Sequence, residues 1–364
     1  MRILRLFVLP AALMMSVVAV LPAVRAAQNP HTVVYQGDQG PGRGKHIVFI
    51  AGDEEYRSEE SLPALARILA RHYGFKATVF FTTDPTTGTI APASSNIAGL
   101  EALKTADLLV IFTRFRDFPD AEMQHIVDYL DRGGPVVGLR TATHAFQIKR
   151  PDAKFLKYTW DNKDPAFEKG FGRQILGETW VTHYGTNHRQ SSRLILQTDE
   201  ASHPILRGVK DVWVQSGGYT ADPIAGSHVL ALGQILSGMT PDAAPVPDKK
   251  QMPVAWYRTY ASTSGKAGRV FATTHGASED LLNEGFRRML VNACLWAAGL
   301  ENGIQPNGAV DLVGPFHPST FNFDGYVKGI RPADMAGWTS AIPATPRPQD
   351  QPVAGAGTQQ ERGR

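Results

Sequence analysis

The chain has one cysteine, Cys294, among 364 residues. One thiol cannot form an intramolecular disulfide, so packing rather than covalent stapling must hold the fold. Long apolar runs are equally scarce. Outside the extreme N-terminus the hydrophobic residues fall in short blocks, which excludes a polytopic membrane protein. An excess of one charge is lacking too. The formal net charge is +3, and Arg2, Arg5 and Arg25 all lie in the first 26 residues, which contain no acid. Without that segment the charge falls to zero and no basic cluster remains to track phosphates, so nucleic acid is disfavoured as a partner. The phosphate-cradling patterns Gly-x-Gly-x-x-Gly and Gly-x-x-x-x-Gly-Lys-Ser/Thr are also missing.

What is present begins with an address. Residues 1–26 combine Arg2 and Arg5, an apolar stretch from Leu6 to about Pro22, and small residues Val24 and Ala26 before a cleavage point, the pattern of a secretory signal peptide. The expectation is a periplasmic or secreted protein with no membrane attachment after cleavage. Residues 27–44 carry Gly37, Gly40, Pro41, Gly42 and Gly44 with few apolar anchors and read as a linker or N-terminal arm.

A regular alternation then starts. His46–Ala51 is a β-branched and aromatic run suited to a strand covered on both faces. Ser58 with Glu59 and Glu60 opens a helix, and Gly74 closes it. Ala77–Phe81, Asp107–Phe112 and Pro135–Leu139 read as further strands, separated by helices over Ile97–Thr105 and from Pro119 to Arg132. Four strand-then-helix units predict a parallel sheet with helices on both faces. The second half is less regular, with strands at Val212–Val214, His228–Leu232, Val254–Tyr257 and Arg269–Thr273 and an amphipathic helix over Asp280–Ala298. Cys294 falls in its apolar row with Leu282, Phe286, Met289, Leu290, Ala293 and Ala297, a core position. Residues 146–192 lack periodicity and read as long loops over a site. Residues 301–342 carry aromatics suited to docking, and 343–364 read as a disordered tail rich in Pro, Gln, Gly and Ala.

In an open parallel sheet, ligands bind beyond the carboxyl ends of the strands, so the residues just after each strand are the candidates. After the first come Asp53, Glu54, Glu55, Tyr56 and Arg57. Glu55 is a candidate acid or base, and Asp53 and Arg57 candidate substrate contacts. The same acids would also serve as a solvated loop compensating a helix dipole. After the fourth strand, small residues flank Arg140 in a sharp turn of the kind that presents a nucleophile elsewhere. A guanidinium cannot be that nucleophile, but it can clamp an oxyanion. His144 follows closely and, with Tyr184 and Glu279, is a further candidate substrate contact. After Arg269–Thr273 comes His275, placed for general-base work, with Glu279 four residues on. His183 and His188 are candidate metal ligands, although their spacing of five is not a helical zinc pattern, and a divalent metal stays open as a cofactor.

The stretches HIVFIAGDEEYRSEESLP, GGPVVGLRTATHAF, HPILRGV, PVAWYRTY and GRVFATTHGASEDLLNEGFRRMLVNACLWAAGL lie in chain order and together resemble the ThuA-like (trehalose utilisation) domain over about residues 45–300. The resemblance implies a three-layer, doubly wound, mostly parallel α/β fold of the class I glutamine amidotransferase-like, flavodoxin-like kind. Amidotransferases of that superfamily carry a Cys on the turn where this chain has Arg140, and a His where it has His275, so glutamine amidotransferase chemistry is not expected. The family implies carbohydrate metabolism, with a 3-keto-disaccharide or keto-glycoside as substrate for isomerisation, elimination or hydrolysis. Removal of a proton by His275 or Glu55, with Arg140, or a metal, stabilising the enolate, is the expected mechanism. The alternatives are a non-catalytic carbohydrate-binding module, using loop aromatics such as Trp160, Trp180 and Tyr184, and a metal-dependent hydrolase. A sugar is the expected ligand, and a homodimer is left open.

Overall fold

The computed structural model describes residues 29–346. The signal-peptide segment 1–26 and most of the tail lie outside the described residues. Residues 343–346 do not, and Ala344 is buried.

The first half builds the parallel centre of a ten-stranded sheet. Strands β1 (Thr32–Gln36), β2 (His46–Gly52), β3 (Lys76–Phe81), β4 (Leu108–Thr113) and β5 (Val136–Leu139) alternate with helices α1 (Ser58–Tyr73) and α2 (Asp120–Asp131). The second half adds β6 (His183–Tyr184), β7 (Ser192–Leu196), β8 (Trp213–Val214), β9 (Gly218–Tyr219), β10 (His228–Ile235), β11 (Met252–Ala261), β12 (Ala267–Thr273) and α3 (Glu284–Ala297). The sheet order is β1-β3-β2-β4-β5-β12-β11-β10-β7-β8, and β6 pairs separately with β9. Strands β3, β2, β4, β5 and β12 run parallel. The edges are antiparallel, with β1 on one side and β11, β10, β7 and β8 on the other.

Strand β2 shows why the centre is buried on both faces. Ile47, Phe49 and Ala51 join the core cluster that contains α1 and α3, whereas Val48 and Ile50 join the cluster on α2. Side chains alternate across a strand, so a continuous apolar run can satisfy both helical layers only from a central position. Cys294 is fully buried in the first cluster, and burial pushes its thiol upward, out of the range of a reactive nucleophile. Helix α1 ends at Gly74, whose φ of 81° lets its N–H reach back to the Ala70 carbonyl at 3.0 Å. Among the described residues no helix is long and apolar enough to cross a membrane.

Two expectations change. The segment read as a linker contains β1, an edge strand registered from Thr32 opposite Phe80 to Gln36 opposite Lys76, with Val33 and Tyr35 buried. Its five-residue run is short and followed by glycines, which hides the strand signal. The last helix starts at Glu284 rather than Asp280, because Asn283 Oδ1 caps it by accepting from Phe286 N–H at 2.9 Å. Asp280 instead belongs to a separate 3-10 turn, Ser278–Leu282, whose last residue Leu282 is exposed rather than part of the helix's buried face because it lies before the helix begins.

Residues 301–346 wrap back over α1. Arg67 on α1 donates to the carbonyls of Ser340 (2.8 Å), Met335 (2.9 Å) and Val313 (3.3 Å), and the Tyr35 hydroxyl donates to Met335 O at 2.8 Å. Phe321, Ile330, Met335 and Ile342 are buried in the same core as α1.

Candidate functional site

A small cleft opens at the carboxyl ends of the parallel strands, lined by Glu55, Arg114, Phe115, His144, Trp180, His183 and Tyr219. All but Trp180, which lies just before β6, come from a segment that follows a strand or belong to a short one. Glu55 follows β2, Arg114 and Phe115 follow β4, and His144 ends the short turn after β5. His183 on β6 pairs directly with Tyr219 on β9, which sets the two rings side by side with centroids 5.5 Å apart. The irregular stretch 146–192 thus supplies Trp180 and His183 to the cleft.

The Glu55 loop is fixed by a buried acid. Asp53 Oδ1 accepts the backbone N–H groups of Glu55 (2.8 Å) and Tyr56, and its Oδ2 accepts from Thr141 Oγ1 at 2.7 Å. Glu54 accepts from Arg114 Nη1 at 2.5 Å and Arg116 Nη2 at 2.9 Å, which ties the β2 loop to the β4 loop. Phe115 has a φ of 53°, a costly conformation for an aromatic residue, and its N–H donates to the His144 carbonyl at 2.9 Å.

A polar chain crosses the cleft. Asn187 Nδ2 donates to the Tyr56 hydroxyl at 2.8 Å and lies 3.4 Å from Glu55 Oε1, and that hydroxyl is 3.2 Å from His183 Nε2. Burial, reinforced by the Asp53 charge, raises the Glu55 carboxyl above its ordinary value. Burial also lowers His183, with help from Arg140 and Arg114, and pushes His144 well below the usual imidazole range. Near neutral pH both imidazoles are therefore uncharged, beside an acid whose proton is unusually retained. That combination suits proton transfer. Aromatic rings wall the cleft: Phe115 lies 4.8 Å from His144, and Trp180 lies 5.5 Å from His144 and 5.9 Å from Trp160.

Of the residues singled out from sequence, Glu55, His144, His183 and the loop aromatic Trp180 meet here, and the others do not line the cleft. Arg140 is fully buried with a φ of 46°; its guanidinium sits 3.9 Å from the Tyr56 ring centre and 4.5 Å from that of Tyr219. Its Nη1 donates to the carbonyls of Gly217 and, at 2.7 Å, Thr274. It does not line the cleft, and its Nε and Nη2 have no hydrogen-bond partner among the described residues. His275 is also fully buried: Nδ1 lies 3.2 Å from Ser216 Oγ, and burial beside Arg140 pushes its pKa well down. Asp280, beneath it, accepts from Ser216 Oγ (2.6 Å) and from the Gly276 and Ala277 N–H groups (both 3.0 Å). The expected general base is thus fully buried and outside the cleft lining, and its Nε2 has no hydrogen-bond partner among the described residues.

Asp53 is likewise internal. Arg57, fully buried, donates to the carbonyls of Glu54 (2.6 Å) and Asn322 (3.1 Å). The Tyr184 hydroxyl donates to the Lys250 and Gly233 carbonyls, and Glu279 accepts from Thr320 Oγ1 at 3.1 Å. His188 stacks on Phe321 at 4.4 Å while His183 faces Tyr56, so the two do not form a ligand pair. Among the described residues no three His, Cys, Asp or Glu side chains are placed to hold a metal ion. Sequence reasoning did not select Arg114, Phe115, Tyr219 and Asn187. Arg114 and Phe115 follow a predicted strand, so the strand-end rule applied to Asp107–Phe112 would have found them.

No curated protein matches the chain. Among solved structures, a ThuA-like protein from Parabacteroides merdae aligns at 14% identity over 78% of this chain and 99% of its own, with a TM-score of 0.41. The glutaminase domain of Trypanosoma brucei CTPS aligns at 9% identity over 74% and 97%, with a TM-score of 0.33. The family model for ThuA, described as trehalose utilisation, matches residues 45–297, from the start of β2 to the end of α3. The chain belongs to the ThuA family.

Proposed function

We propose that the chain is an exported enzyme of carbohydrate metabolism, built on a three-layer class I glutamine amidotransferase-like fold, that acts on a 3-keto-disaccharide or keto-glycoside. The observation that carries this reading is the convergence of Glu55, His144 and His183 with Arg114 in one aromatic-walled cleft. As carboxylate, Glu55 removes the proton on the carbon next to the sugar carbonyl. Arg114, which lies 3.8 Å from Glu55 through Nε, offers a fixed positive charge to the oxygen that gains charge as the enolate forms. His183 and His144, both uncharged, can take up or pass on a proton at the opposite wall. Phe115, Trp180 and Tyr219 bound the sugar ring and exclude water. This proton removal is the common first step of isomerisation and of elimination.

The test is incubation of the mature protein with 3-keto-glycosides in deuterated water, with a chelator and with added divalent metal. Mass spectrometry should show product, or deuterium at the carbon beside the carbonyl. Neither product nor exchange under either condition would overturn the catalytic reading. The aromatic row of Phe115, Trp160 and Trp180 also favours a second reading, a module that only binds sugar. Saturable calorimetric binding without turnover would select it.

A further inference from the structure

Phe323 is 56% exposed, the most exposed of the large hydrophobic side chains among the described residues. It lies beyond the family match, in the segment that wraps back over the domain. Two residues earlier, Phe321 is buried against Tyr56 with ring centroids 5.1 Å apart. The backbone between β12 and Phe323 is pinned at several points. Ser319 N–H donates to Glu60 Oε2 at 2.8 Å, Ser278 Oγ to Ser319 O at 3.0 Å, Thr320 Oγ1 to Glu279 at 3.1 Å, and Arg57 to Asn322 O at 3.1 Å. An exposed aromatic side chain on so fixed a backbone is a preorganised platform. Its neighbour is Arg114 of the cleft, whose guanidinium lies 4.9 Å from the Phe323 ring centre and 4.8 Å from that of Phe115.

Position supplies the second argument. Phe323 is not among the residues that line the cleft, but it shares the Arg114 guanidinium with Phe115, which is, so a ring stacked on it lies just outside the cleft. We propose that Phe323, over the Arg114 guanidinium, forms a second subsite that takes the distal ring of a disaccharide or the aglycone of a glycoside. Stacking of a ring face on the aromatic surface would supply the contact. The proposal rests on the cleft being a sugar site.

Calorimetric titrations with the 3-keto forms of trehalose and glucose test it, in a Glu55→Gln background that prevents turnover. With Phe323 intact, the disaccharide should bind ~3–10-fold more tightly than the monosaccharide. Phe323→Ala should erase that preference and leave monosaccharide binding unchanged, and Phe323→Trp should keep it. An unaltered preference in Phe323→Ala overturns the subsite and leaves the reading of the cleft standing. Binding of neither sugar, in wild type or in the Glu55→Gln protein, overturns both.

Discussion

The guanidinium carbon of Arg140 lies 3.9 Å from the centre of the Tyr56 ring, and the hydroxyl of that ring reaches both Asn187 and His183. The arginine at the turn after β5 therefore meets the cleft's polar chain through a tyrosine ring. Arg140→Met would remove the cation from between two tyrosine rings and leave the Gly217 and Thr274 carbonyls without their donor. Together these losses should cost ~2–5 kcal/mol of stability in denaturant unfolding. The positive charge of Arg140 also helps lower His183, so the His183 titration followed by NMR should move upward in the variant. A direct clamp predicts the opposite pattern: a higher KM with stability unchanged.

Glu55→Gln tests the proposed base. The carboxylate is the active form and exists above its pKa, which burial and Asp53 raise from 4.5. The rising limb of kcat/KM against pH should therefore lie above the ordinary carboxylate range. The variant should lose that limb and ~10²–10⁴-fold in rate. A limb that survives in the variant would assign the base elsewhere.

Tyr56→Phe separates the hydroxyl from the ring. The ring keeps its contacts with Arg140 and Phe321, so unfolding stability should change by no more than ~1 kcal/mol. The link from Asn187 to His183 is lost, and kcat should fall ~10–100-fold. Equal losses in stability and rate would make the hydroxyl merely structural.

The parallel centre was readable because β2, β3, β4 and β5 are apolar on both faces and leave continuous runs such as His46–Ala51. Strand β1, with one exposed edge and only five residues, leaves no such run. The site was readable only in part. Strand-end position picked out Glu55 and His144, which line the cleft, but it equally picked out Arg140, His275 and Asp53, which are fully buried and do not line it. A sequence places a residue at the sheet edge without saying which way its side chain points. Nor could spacing link Phe321 and Phe323 to Tyr56 and Arg114, more than 200 positions away, because only the folded extension brings them together.

The acids that open α1 carry a different consequence. Glu59 and Glu60 are buried beneath the C-terminal extension, in a cavity with Ile90, Val327, Ile330, Met335 and Pro343, and Glu59 has Arg57 Nε at 3.5 Å as its ion partner. Burial raises both carboxyls above their ordinary value, and the attraction of Arg57 only partly opposes it. The folded state then holds these protons more tightly than the unfolded chain does. Their contribution to stability is complete below the ordinary carboxylate range and is lost as pH rises through the folded values. Each tenfold difference in proton affinity is about 1.4 kcal/mol, enough to show in urea unfolding across pH 4 to 9. Glu59→Gln keeps the shape and removes one of the titrating groups, so its stability should decline less steeply over that range than the wild type's. Parallel profiles for the two proteins would show that the buried pair does not couple the extension to pH.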